Sequence, residues 1–153
     1  MDLILWRHAD AADGSPDAAR ELTPKGVKQA AVMAAWLRRE LREPVTVLAS
    51  SAARAQQTAR AYTDAVQTQP GLAVGASPAR ILQTAGWPDT PGSVVVVGHQ
   101  PALGAAAALA LTGKALPWSI RKGAIWWLRS GGAEPPLVVA VITPRLVRRP
   151  KRR

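Results

Sequence analysis

The chain contains only two histidines, and each follows a short run of apolar residues. His8 comes shortly after the run at 3–6, and His99 comes shortly after the run at 94–97. Continuous apolar runs of this length are typical of strands buried on both faces of a sheet. Ligands of open α/β sheets bind beyond the carboxyl ends of the strands. We therefore expect the two imidazoles to share one pocket.

Two arginines can join such a pocket. Arg7 immediately precedes His8, and Arg54 lies near the start of the helix expected after a strand at 45–49. A guanidinium fork matches the oxygens of a phosphate, and a helix N-terminus favours anions. Together with His8 and His99, the two arginines predict a binding site for a phosphate-like dianion. The alternative for Arg54 is an ordinary exposed position on a helix.

The elements that position these residues alternate along the chain. Helical spacing of apolar residues between 27 and 41 predicts an amphipathic helix, capped by Thr23 and ended before Pro44. Other helices are expected from Ser50 or Ser51 to about 66, at 78–82, and from 101 to Gly113; other strands are expected at 72–74, 124–128 and 137–142. This order predicts an α/β fold, a three-layer α/β/α sandwich whose mainly parallel sheet ends in an antiparallel C-terminal hairpin.

Four segments resemble the ordered motifs of the histidine phosphatase superfamily, which is phosphoglycerate mutase-like in fold. They are Arg7-His8-Ala9, Leu22-Thr23-Pro24-Lys25-Gly26 with Gln29-Ala30, Ser50-Ser51-Ala52-Ala53-Arg54-Ala55-Gln56-Gln57-Thr58, and Val96-Val97-Gly98-His99-Gln100-Pro101. The short chain, the small interval between Arg54 and His99 and the C-terminal hairpin are most similar to bacterial SixA-type phosphohistidine phosphatases. The resemblance covers residues 1 to about 147.

The resemblance implies that His8 is the nucleophile and that Arg7, Arg54 and His99 hold the phosphoryl oxygens. Gln100, next to His99 in the last motif, joins the expected phosphate-binding set. Ala9 stands where the family usually has glycine, and its methyl group would narrow the pocket or alter the turn.

Physical chemistry supports the same mechanism. The ordinary histidine pKa of about 6.5 leaves much neutral imidazole at neutral pH, so His8 can attack phosphorus and form a phosphohistidine that water hydrolyses. Arg7, Arg54 and a protonated His99 would meet the charge of the phosphoryl oxygens. This arrangement requires no metal and no other cofactor.

The acid that would protonate an alkoxide leaving group is not obvious. Between Arg54 and His99 the only carboxylic acids are Asp64 and Asp89, in a predicted helix and a Pro/Gly-rich loop. Asp10, two residues after His8, is the weak alternative. Imidazole leaves without such help far more easily than an alkoxide, because its pKa is much lower. We therefore expect the substrate to be phosphohistidine on a signalling protein.

Composition sets further bounds. The chain of 153 residues has no cysteine, which excludes disulfides, thiolate metal sites and a cysteine nucleophile. It shows neither a signal sequence nor a bilayer-spanning apolar stretch, so we expect a cytoplasmic protein without a membrane partner. We expect one domain at 1–144 and a basic tail at 145–153. The tail carries six positive charges of the net +10, leaving +4 on the rest.

Several alternatives stay open at the level of sequence. The tail is either a solvated end or a segment that docks to nucleic acid or to an acidic partner. Only the tail suggests nucleic acid as a partner. A metal site of His8, Asp10 and His99 is conceivable, although Arg7 would repel a cation. The chain could also be a small-molecule phosphomonoesterase of the same superfamily, or a catalytically inactive module that binds phosphate or nucleic acid.

Overall fold

The computed structural model describes residues 1–147, which form one six-stranded sheet with helices on both faces. The strands are β1 (Asp2–Arg7), β2 (Val45–Ala49), β3 (Val66–Thr68), β4 (Ser93–Gly98), β5 (Ile125–Gly131) and β6 (Glu134–Ile142). The α-helices are α1 (Pro24–Glu40), α2 (Ala53–Arg60), α3 (Pro78–Ala85), α4 (Ala102–Thr112) and α5 (Pro144–Val147). Single 3₁₀ turns occupy Asp17–Ala19 and Pro70–Leu72.

The strand order in the sheet is β3-β2-β4-β1-β5-β6. The strands β3, β2, β4 and β1 pair in parallel, whereas β5 and β6 form an antiparallel hairpin on the β1 side. β1 and β4 lie side by side at the centre, where all six residues of β4 are buried. The predicted mainly parallel sheet with a hairpin edge is therefore confirmed.

Alternate residues of the central strands face two separate cores. Leu5 and Val96 pack with apolar residues of α3 and α4 on one side of the sheet. Trp6 and Val97 pack with apolar residues of α1 and α2 on the other side. Because both faces are covered, these strands read as continuous apolar runs, and the predicted three-layer sandwich is confirmed.

The helix termini follow the expected capping chemistry in two places. The Thr23 hydroxyl accepts a 3.0 Å hydrogen bond from the Gly26 backbone N–H, which caps α1. Gly113 ends α4 with a φ of 78°, a left-handed conformation that glycine adopts without steric cost.

Three predictions between 50 and 74 were wrong. α2 ends at Arg60, and Val66 begins β3, which pairs in parallel with β2. A polar turn at 62–65 interrupts the helix, and two β-branched residues then extend the sheet. The segment 72–74 was predicted to be a strand, but Leu72 ends the second 3₁₀ turn and Ala73 is its C-cap. Neither Ser50 nor Ser51 caps α2, whose N-cap is Ala52.

The C-terminal region begins with a helix. The helix α5 packs against α1. Residues 145–147, the first three of the segment predicted as a tail, belong to this helix. Residues 148–153, which carry most of the predicted basic tail, lie outside the described residues. Within 1–147, the structure has no helix of the length and apolarity required to cross a membrane.

Candidate functional site

The parallel pairing of β1 with β4 brings the two histidines together. Arg7 is the register partner of Gly98, so His8 and His99 both follow at the same edge of the sheet. The His8 backbone N–H donates a 3.1 Å hydrogen bond to the Gly98 carbonyl. The imidazole centroids are 5.2 Å apart, and each residue is 7% exposed. The two histidines therefore lie together at the carboxyl ends of the central strands, as the sequence predicted.

The His8 ring is held in one tautomer by its own loop. Its Nδ1 lies 2.8 Å from the Ala9 carbonyl oxygen. A carbonyl oxygen can only accept a hydrogen bond, so Nδ1 carries the proton. The neutral ring therefore keeps its lone pair on Nε2, the nitrogen available for nucleophilic attack.

The surroundings of both imidazoles favour the neutral ring at neutral pH. Burial lowers the pKa of His8 to about 4, and the positive charges of Arg54 and Arg7 add to the effect. Burial also lowers the pKa of His99 to about 4, with further lowering from His8 and Arg54. This lowered pKa disfavours the charged ring of His99, and a protonated His99 facing bound phosphate stays a prediction. A bound phosphate dianion would raise both pKa values, because it favours the charged ring.

The two arginines are held at the site by hydrogen bonds that leave part of each guanidinium free. Arg7 Nη1 donates to the Ile120 carbonyl at 3.0 Å. Arg54 is 4% exposed, and its Nη1 and Nη2 donate to the backbone carbonyl and the carboxylate of Asp17. The Nε atoms of both arginines are buried and have no hydrogen-bond partner within residues 1–147. Buried donors without partners are costly, so an anion that satisfies them would bind favourably.

A hydrogen-bonded link ties the His8 loop to α2. The Ala9 backbone N–H donates to the Thr58 hydroxyl at 3.0 Å, and this hydroxyl donates to the Arg54 carbonyl at 2.8 Å. Ala9 is completely buried, and no non-glycine residue of the described part has a positive φ. The alanine methyl group is therefore accommodated in an ordinary backbone conformation.

His99 is also positioned by a neighbour. Its Nε2 lies 2.8 Å from the Ser50 hydroxyl, so Ser50 orients a histidine instead of capping a helix. Among residues 1–147, the His99 Nδ1 atom is buried without a hydrogen-bond partner, like the two arginine Nε atoms.

Gln100 is adjacent to the site, but its amide is engaged elsewhere. Its Nε2 donates to the Trp118 carbonyl at 3.0 Å, and its Oε1 accepts from the Gly104 N–H at 2.7 Å. These two hydrogen bonds stabilise the start of α4. His99 and Gln100 also line a cleft of about 300 Å³ whose other walls include Leu72 and Ile81. None of the described residues that line this cleft carries a carboxyl group.

The three carboxylic acids considered from the sequence lie in different places. Asp10 is near His8, where it accepts hydrogen bonds from the Thr23 hydroxyl at 2.7 Å and from Lys122 Nζ at 3.1 Å. Both hydrogen bonds lower the pKa of Asp10, and the bond from Thr23 has the larger effect. Asp64 precedes β3 and Asp89 precedes β4, so both lie towards the amino ends of parallel strands, away from the histidines.

A metal site receives no support from the described residues. His8, Asp10 and His99 do not converge, since residues 1–147 contain no group of three or more potential ligands of the His, Cys, Asp or Glu type. The Asp10 carboxylate is already bonded to Thr23 and Lys122.

Sequence reasoning missed three residues that hold this site. Asp17 binds Arg54, Ser50 contacts His99, and Thr58 joins α2 to the His8 loop. Ser50 and Thr58 lie within the motif that contains Arg54, which was the available signal. Asp17 lies in a polar loop, where only the tertiary contact reveals its partner.

The fold and the site together define an α/β sandwich with paired histidines and arginines at the carboxyl edge of its sheet. Residues 3–73 match the family model described as histidine phosphatase superfamily (branch 1). A protein of Picosynechococcus sp., described as uncharacterized, is 36% identical over 146 residues, which cover 87% of each chain. The chain belongs to the histidine phosphatase superfamily.

Solved structures with a similar fold include two that carry the SixA name. The protein histidine phosphatase SixA, complexed with tungstate, is 25% identical with a TM-score of 0.80, covering 97% of this chain and 100% of that one. The putative phosphohistidine phosphatase SixA of Agrobacterium tumefaciens is 27% identical with a TM-score of 0.75, covering 94% and 97%. The fold is thus phosphoglycerate mutase-like, with SixA proteins among its structural neighbours.

Proposed function

We propose that this chain is a phosphatase that works through a covalent phosphohistidine on His8. The observation that carries the proposal is the contact of His8 Nδ1 with the Ala9 carbonyl, which leaves Nε2 as the nucleophilic nitrogen beside His99. The buried Nε atoms of Arg7 and Arg54, which have no hydrogen-bond partner within residues 1–147, supply donors for an anion. A nucleophile among preorganised donors is the arrangement that phosphoryl transfer requires.

The reaction has two steps. In the first, the Nε2 lone pair forms a bond to phosphorus while the bond between phosphorus and the leaving group breaks. The Nδ1–H bond to the Ala9 carbonyl stabilises the positive charge that the ring acquires. In the second, water attacks phosphorus, the phosphorus–Nε2 bond breaks, and its electron pair returns to His8. Arg7, Arg54 and His99 bind the phosphoryl oxygens in both steps.

The site favours a substrate whose leaving group needs little acid catalysis. Asp10 has a lowered pKa and stays ionised at neutral pH, which counts against it as a proton donor. The neighbouring cleft is lined by apolar and uncharged groups. Imidazole leaves more easily than an alkoxide under such conditions. We therefore propose phosphohistidine on a signalling protein as the substrate class, and the names of the SixA neighbours agree with this.

A comparison of leaving groups tests the proposal. The purified chain should hydrolyse imidazole phosphate and a phosphohistidine peptide much faster, in kcat/KM, than an alkyl phosphate such as glycerol phosphate. Faster hydrolysis of the alkyl ester would favour a small-molecule phosphomonoesterase. Lack of turnover with all three, in a folded protein that binds orthophosphate, would indicate an inactive phosphate-binding module.

A further inference from the structure

A basic groove lies beside the candidate site, between the start of α1, the loop before β5, and α5. Its volume is about 730 Å³. Four basic residues line it, and no carboxylate of residues 1–147 does. These basic residues, all exposed, are Lys25, Arg121, Lys122 and Arg145.

The groove is continuous with the loop that carries the nucleophile. Gln29, one of its lining residues, accepts a 2.9 Å hydrogen bond from the Asp10 backbone N–H. Lys122 lies 3.1 Å from the Asp10 carboxylate, and the next residue, Gly123, donates its N–H to the His8 carbonyl at 3.1 Å. The groove therefore borders the loop that carries His8.

Most of the positive charge in the groove is unneutralised. Lys122 is paired with Asp10, whereas Lys25, Arg121 and Arg145 form no ion pair with any residue of 1–147. Leu146, also in the lining, is 72% exposed and offers an apolar contact.

We propose that this basic groove binds an acidic segment of the protein whose phosphohistidine is hydrolysed at His8. The proposal rests on the proposed function and names a determinant of its substrate class. Complementary charge steers association and fixes the register of a bound chain. An acidic peptide fits better than nucleic acid, because no aromatic side chain lines the groove to stack on a base.

Synthetic peptides test the groove. The probes are phosphohistidine peptides with four glutamates before or after the phosphohistidine, and the matched peptides with four glutamines. At low salt, kcat/KM for the better glutamate peptide should exceed that of its glutamine counterpart about tenfold, and high salt should reduce the difference to about twofold. Equal rates for glutamate and glutamine peptides at low salt would overturn the proposal.

Charge-reversal variants locate the effect. Arg121→Glu combined with Arg145→Glu should abolish the preference for glutamate, mainly through KM, while turnover of imidazole phosphate stays unchanged. The matched control combines Arg42→Glu and Lys114→Glu: Arg42 lines a cavity at the amino ends of the strands, and Lys114 follows α4. Equal loss in the control would contradict a specific groove. Milder variants, Arg121→Gln and Arg145→Gln, should show a smaller loss if the reversed pair does not fold.

A binding measurement separates this proposal from the proposed function. Fluorescence anisotropy with the unphosphorylated glutamate peptide should show salt-dependent binding that Arg121→Glu with Arg145→Glu weakens about tenfold or more. Binding without turnover of any phosphohistidine peptide would count against the phosphatase only. Turnover without groove-dependent binding, or tighter groove binding of a single-stranded oligonucleotide than of the acidic peptide, would overturn the docking proposal only.

Discussion

Asp17 accepts two hydrogen bonds from Arg54, through its carboxylate at 3.0 Å and its backbone carbonyl at 2.9 Å. The other carboxylate oxygen lies 3.1 Å from Arg20 Nη1. Arg54 is almost completely buried, whereas the Asp17 side chain is 55% exposed. The arginine expected to hold the phosphoryl group is therefore paired with a carboxylate at the solvent boundary.

The charge of Asp17 should oppose anion binding. Asp17→Asn keeps hydrogen-bond acceptors for Arg54 but removes a negative charge close to the site. We expect the Kd for orthophosphate, measured by isothermal titration calorimetry at low salt, to fall about three- to tenfold. Asp13→Asn, another loop carboxylate, is the matched control and should have little effect. Weaker phosphate binding in Asp17→Asn would instead indicate that this carboxylate is needed to position Arg54.

The planar guanidinium group of Arg54 should be required for activity, and the single ammonium group of a lysine should not replace it. Arg54→Lys retains the charge but loses the paired donors that reach Asp17 and the phosphoryl oxygens together. We expect kcat/KM with imidazole phosphate to decrease about 10²- to 10³-fold in Arg54→Ala and to recover only slightly in Arg54→Lys. Recovery close to the wild-type rate in Arg54→Lys would show that charge alone is sufficient.

The lowered pKa values of the histidines predict an unusual titration. Both rings should stay neutral from pH 7 down to about pH 5 and gain protons near pH 4, since burial and the nearby arginines disfavour the charged ring. The imidazole signals of His8 and His99 in NMR spectra would follow this titration, and orthophosphate should move both midpoints upward. Midpoints near 6.5 in the free protein would contradict the described burial.

The close approach of α1 to the His8 loop predicts a stability effect. A Cβ atom at Gly26 would overlap the Asp10 carbonyl oxygen, a backbone atom that cannot move without displacing the loop. We expect Gly26→Ala to lower the free energy of unfolding by about 1–3 kcal/mol, measured by urea denaturation. Lys28→Ala, at an exposed position of the same helix, should change it by less than about 0.5 kcal/mol.

Sequence reasoning succeeded where a residue's role follows from its local pattern. The apolar runs before His8 and His99 indicate buried parallel strands, and parallel pairing then places both rings at one edge. Sequence patterns did not predict β3, because tertiary pairing decides its structure. This strand forms because Val66 pairs with Val47, although the preceding residues favour a helix. The partnership of Asp17 with Arg54 spans a loop and a helix, so no spacing rule predicts it.

Trapping the phosphoenzyme tests whether His8 is the nucleophile. Wild-type protein, His8→Ala and His99→Ala would be mixed with phosphohistidine peptide, quenched at alkaline pH, and mapped by mass spectrometry under conditions that preserve phosphoramidates. We expect an acid-labile phosphoryl group on His8 in wild type and none at that position in His8→Ala. Turnover by His8→Ala at the wild-type rate, or a phosphoryl group only on His99, would contradict it.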